Sequence, residues 1–73
     1  MNATIKLTLD EKLKKENMSR YRLAKETKVM YQTIDAYYKN KVKRYDSHIL
    51  LKICVTLNCG IEEIITIERT NTK

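Results

Sequence analysis

The sequence predicts an all-α domain of five short helices, and three observations carry that reading. Apolar residues recur at helical spacing, most plainly Leu50, Ile53, Cys54 and Leu57, the pattern of a helix with one buried face. Proline is absent and the only glycine is Gly60, so little interrupts a helix. Strand-like alternation is confined to TIKLTL, residues 4–9, and a lone strand has no partner to pair with.

That first segment also fits a helix, because Ile5, Leu9 and Leu13 recur every four residues. It is therefore read as a helix ending near Glu16. Ser19 is a good N-cap for a second helix, with Leu23 and Ala24 facing inward and Arg20, Arg22 and Lys25 outward. A third helix runs from Met30 to about Lys39 with Ile34 and Tyr37 as its buried stripe. A straight rod burying both Leu23 and Ile34 would leave Val29 out of phase, so the chain turns a corner at Lys28-Val29. Val29 then plugs the core.

A basic, tyrosine-bearing loop follows, KNKVKRY at residues 39–45. Asp46 or Ser47 caps a fourth helix, and Asn58 ends it in the left-handed conformation that asparagine tolerates. Gly60 precedes IEEIITI, with Glu63 three residues on as in a capping box. That gives a fifth helix with Ile61, Ile64 and Ile65 inside. The domain spans residues 1–68, and residues 69–73 form a flexible tail.

The totals limit the function. At 73 residues the chain holds one domain, which at this size buries only about 60% of its unfolded surface. The longest run without a charged side chain is Ile53–Ile61, far short of the ~20 residues of a membrane span. The first residues lack the basic start and apolar stretch of a secretory signal, so a cytoplasmic location is expected. Cys54, Cys59 and His48 offer three soft ligands where a structural zinc site takes four. Both cysteines are read as reduced, Cys54 as a small hydrophobe. No serine or cysteine has a histidine and an acid arranged to activate it, and no glycine-rich phosphate loop occurs. The chain is read as non-enzymatic, without metal, cofactor or small-molecule ligand.

Charge is more informative. The net charge is +6, and residues 20–44 hold eight basic groups against Glu26 and Asp35, so they carry all of the excess. The flanking segments come to +1 and −1. Positive charge concentrated in one segment is the footprint of a polyanion partner.

SRYRLAKETKVMYQTIDAYYKNKVKR, followed by LLKICVTLNC and IEEII, resembles the lambda-repressor-like, Cro/C1-type (Xre) helix-turn-helix family. The match runs from Ser19 to about Ile65. Leu23-Ala24, where a small alanine lets two helices cross closely, and the anchor Ile34 are its most specific elements. Four positions depart from the family pattern. Lys28 stands where glycine is usual in the turn, Met30 where serine or threonine often caps, Tyr45 for a frequent proline and Asn58 for a frequent glycine.

The resemblance implies a compact five-helix lambda-repressor-like bundle whose second and third helices form the helix-turn-helix. It also implies sequence-specific binding of double-stranded DNA as a small transcriptional regulator, a repressor, with residues 30–39 in the major groove. With Ile34 and Tyr37 inward, the outward set is Tyr31, Gln32, Asp35, Ala36 and Lys39. Base readout falls to Tyr31, Gln32 and Ala36. A glutamine amide donates to and accepts from adenine at once, and tyrosine and alanine suit a thymine methyl. Asp35 is expected to pair with Lys39 within the molecule.

Arg20, at a family phosphate-contact position, together with Lys39, Lys41, Lys43 and Arg44, forms the expected clamp on the phosphates. About four neutralised phosphates give a log-log salt slope of roughly −3 to −4 per protomer. A homodimer on a palindromic site is the family habit, with Ile67 as a candidate contact. The alternative class keeps the fold for protein binding, as an antitoxin or anti-repressor, and predicts that Lys41, Lys43 and Arg44 can be neutralised without loss. RNA binding is a third reading, disfavoured because the exposed aromatics sit on a helix instead of a strand platform.

Overall fold

A computed structural model describes residues 2–70. In chain order these form β1 (Asn2–Leu7), α1 (Leu9–Glu16), α2 (Arg20–Thr27), α3 (Tyr31–Tyr38), α4 (Ser47–Leu57), a 3-10 turn at Ile61–Glu63, and β2 (Ile65–Thr70). The last three residues of the expected tail lie outside the described residues, whereas Arg69 and Thr70 belong to β2.

The five-helix expectation is corrected at both ends. Residues read as the start of a first helix are β1, and IEEIITI yields one 3-10 turn and the start of β2. The two strands pair antiparallel in a two-stranded sheet, with Leu7 opposite Ile65, Ile5 opposite Ile67 and Ala3 opposite Arg69. Each strand is the partner that the other seemed to lack. Leu9 and Leu13 do share the buried face of α1, but Ile5, four residues earlier, is exposed on the sheet. Of the expected inner face of a fifth helix only Ile64 is fully buried, and Ile61 is exposed.

The helical body follows the sequence pattern. Leu9, Leu13, Leu23, Ile34, Ile53 and Ile64 are each at most 1% exposed and meet in one core. Met18, Val29, Leu50 and Cys54 close its edges. The caps are those the sequence offers. Ser19 accepts the Arg22 N–H at 3.1 Å, and Asp46 accepts those of His48 and Ile49, each cap worth about 1 kcal/mol.

Residues 22–40 are two helices, not one. Lys28 takes φ 60°, ψ 30°, and the Val29 N–H returns to the Ala24 carbonyl at 3.2 Å, closing α2 with a left-handed residue. Thr27, buried, ties the corner from inside: its hydroxyl donates to the Leu23 carbonyl at 2.7 Å. Val29 then packs against the core. Met30 precedes α3 without a side-chain cap.

Candidate nucleic-acid interface

The corner sets α3 against α2 and leaves one face of α3 outside. Ile34 and Tyr37 are buried, Gln32 and Lys39 are exposed, and Tyr31, Asp35, Ala36 and Tyr38 are half-buried. Gln32, in the first turn, makes no hydrogen bond with other described residues, so its amide is available to a ligand. Ala36 lies one turn further along the same helix.

Tyr31 is placed differently from its expected free role. The ring of Tyr21, from the first turn of α2, stacks on it with centroids 4.4 Å apart and planes 20° from parallel. Tyr21 itself is 72% exposed. The sequence reading missed this residue, because helical spacing says nothing about contacts across a turn. The usable signal was a tyrosine in the first turn of each of two helices that meet at a corner.

Asp35 is the electrostatic centre of the face. It accepts from Arg20 across the α2–α3 contact, and Lys39 lies 3.2 Å from its other oxygen. The Arg20 guanidinium also lies over the Tyr38 ring, 4.4 Å from its centroid, a cation–π contact. Partial burial acts to raise the Asp35 carboxyl, but the Lys39 ammonium and the Arg20 guanidinium outweigh it and hold it below the usual carboxylate range. Two of the expected phosphate ligands, Arg20 and Lys39, are thus engaged by an acid of the same domain.

The other three, Lys41, Lys43 and Arg44, are exposed on the loop between α3 and α4 and make no ion pair with other described residues. The loop is held at both ends. Asn40, at φ 59°, accepts the Leu7 N–H through its side chain at 2.9 Å, while the Lys41 N–H closes α3 on the Ala36 carbonyl. At the far end the Tyr37 hydroxyl accepts the Asp46 N–H at 3.0 Å, and Tyr45 meets Tyr37 edge-on. A buried residue of α3 therefore anchors the loop that carries the cations. Lys25 and Lys28 are exposed beside the corner.

No group of three or more His, Cys, Asp or Glu among the described residues is placed to hold a metal. None of their helices is long and apolar enough to cross a membrane.

Two short helices meeting at a left-handed corner, the second anchored by buried Ile34 and Tyr37 and followed by a cationic loop, have the form of a helix-turn-helix. The family model of the Cro/C1-type HTH DNA-binding domain matches residues 8–69, and the chain belongs to that family, whose ligand is double-stranded DNA. Two solved structures share the fold. One is a Bacteroides fragilis protein provisionally described as DNA-binding, 19% identical, with a TM-score of 0.75 over 86% of this chain and 100% of that one. The other is the transcriptional regulator VanUg, 24% identical, also with a TM-score of 0.75, over 96% of this chain and 92% of that one. No curated protein sequence gives a significant match.

Proposed function

We propose that the protein is a cytoplasmic transcriptional repressor that reads a specific duplex sequence with the first turns of α3 in the major groove. The observation that supports this most is Gln32, exposed and unbonded on a helix whose opposite side is locked by Ile34 and Tyr37. Gln32 pairs with an adenine edge. Ala36 lets the helix approach closely, and Tyr31, stiffened by Tyr21, flanks the reading edge. Lys41, Lys43 and Arg44 grip the phosphates beside the groove. Arg20 and Lys39 contribute to the extent that phosphate oxygens displace Asp35. Two copies bind the halves of a palindromic site.

Selection of bound duplexes from a random pool tests the reading, and it should return a symmetric motif. Gln32→Ala should cost about 1–3 kcal/mol on that motif and relax one base position per half-site, while Lys43→Ala weakens all sequences alike. An unchanged motif for Gln32→Ala removes its readout role. Full activity in a variant with Lys41, Lys43 and Arg44 all neutralised would favour a protein-binding adaptor instead.

A further inference from the structure

The end of α4 brings two thiols together. Asn58 takes φ 53°, ψ 52°, and this left-handed residue folds the chain back on the last turn of the helix. Its N–H donates to the Val55 carbonyl at 3.2 Å, and the Cys59 N–H donates to the Cys54 carbonyl at 3.0 Å. Such a paired closure commonly sets the side chain just past the turn against the side chain whose carbonyl it caps. That contact is ordinarily hydrophobic; here both partners are cysteines.

Both cysteines are free and half-buried, and both pack against the edge of the core. Their thiols are close enough to hydrogen-bond to each other. Cys54 also lines an open apolar trough of about 360 Å³ with Ser47, Leu50, Leu51 and Ile61, through which a small reagent can reach the pair. Residues that share a main-chain hydrogen bond in a ladder have Cα atoms about 5.5 Å apart. Disulfides most often span that same separation, so joining the two sulfurs asks little of the main chain.

We propose that Cys54 and Cys59 are a reversible modification site, at which a low-molecular-weight disulfide oxidises the pair to an internal disulfide fastening the end of α4 to the turn that leads into β2. Burial raises both thiols, but the Lys12 ammonium opposes it at Cys59, so Cys59 is the first to attack. Its thiolate bonds to one sulfur of the reagent RSSR and expels RS⁻, which takes up the proton that Cys59 gave away. Cys54 then loses its proton and attacks the Cys59 sulfur of the mixed disulfide, expelling the second RSH. The protein gives up two protons and two electrons, and RSSR becomes two RSH. The closure of α4 already holds Cys54 beside Cys59, so the second step needs no search by the chain. In a compartment kept reducing, a bond of this kind is transient and reports an oxidising episode.

The test uses the full chain, without DNA, in buffers of reduced and oxidised glutathione, read by intact mass. The wild-type chain should become lighter by about 2 Da, carry no glutathione adduct and regain both thiols in dithiothreitol. Cys54→Ser and Cys59→Ser should each retain one adduct, and Cys54→Ser, which keeps Cys59, should acquire it faster. The same titration in urea separates a native site from two cysteines that are merely near in sequence. If the native geometry favours the bond, the folded chain should be oxidised at an oxidant ratio at least about tenfold lower than the unfolded chain, and the oxidised protein should show a higher urea midpoint. A folded chain as hard to oxidise as the unfolded one, or harder, overturns the proposal, because the two thiols then only pack. A lasting glutathione adduct on the wild type, or a cross-linked dimer in place of the internal bond, overturns it as well.

Discussion

At the scale of single residues, Asp35 decides how much unpaired positive charge the exposed face of α3 offers. It holds Lys39 and Arg20 in the absence of a ligand, so its removal frees two cations beside α3. Asp35→Asn should therefore bind random-sequence duplex more tightly and steepen the log-log salt slope by about one to two; a slope equal to that of the wild type would show that those cations never reach phosphate. The same carboxylate gives a pH signature. Its folded pKa is lowered, so its stabilisation is fully present above the unfolded value of about 3.9. That stabilisation is lost as pH falls through the folded value, because the unfolded chain then binds the extra proton. Glu63, lowered by the Lys12 ammonium and the Gly60 N–H, acts in the same direction. Acid titration followed by circular dichroism should show stability falling below about pH 4, with a shallower fall in Asp35→Asn. Cys54 differs in kind. Burial, aided by the neighbouring Cys59, pushes its thiol up to about 11. At pH 8 iodoacetamide should modify it on the order of a hundredfold more slowly than in the unfolded chain. Alkylation at equal rates would show that the thiol is open to solvent.

At the scale of elements, helix ends explain what the sequence could and could not reveal. Each of the four helices is closed at or just past its end by a left-handed residue that is not glycine: Asn17, Lys28, Asn40 and Asn58. Three are asparagines, which adopt this conformation at low cost. Lys28 does not, so Lys28→Gly should raise the unfolding free energy by up to about 1 kcal/mol, read as a higher urea midpoint, after allowing for the added freedom of glycine in the unfolded chain. A lower midpoint would mean that the Lys28 side chain contributes more than its backbone costs. The corner itself was legible because Val29 breaks the phase between Leu23 and Ile34, a local signal. The same local reasoning placed the Ser19 cap, narrowed the α4 cap to Asp46 or Ser47, of which the structure uses Asp46, and gave the pairing of Asp35 with Lys39. It failed where the deciding contact is distant. The β-branched run IITI satisfies helical spacing and strand propensity alike, and only its pairing with residues 2–7, some sixty positions earlier, selects the strand. The Tyr21–Tyr31 stack and the Arg20–Asp35 link escaped for the same reason, since both cross from one helix to the next.

At the scale of the whole molecule, the charge excess in residues 20–44 falls on α2, the corner, α3 and its loop. That much of the candidate interface could be read from composition along the chain. The engagement of Arg20 and Lys39 by Asp35 could not, and it leaves Lys41, Lys43 and Arg44 as cations of the loop without an ion-pair partner among the described residues. The ribbon was the least legible feature, and it sets how the molecule answers mechanical load. Asn2 lies directly opposite Thr70, so tension applied through these two positions pulls the strands apart from the same end. The ladder then opens like a zipper, one pair at a time, and no long row of hydrogen bonds is sheared at once. Force spectroscopy should record a low, gradual extension through the ribbon before the helical body yields in a separate step. A single high-force rupture would mean that the strands and helices bear the load together.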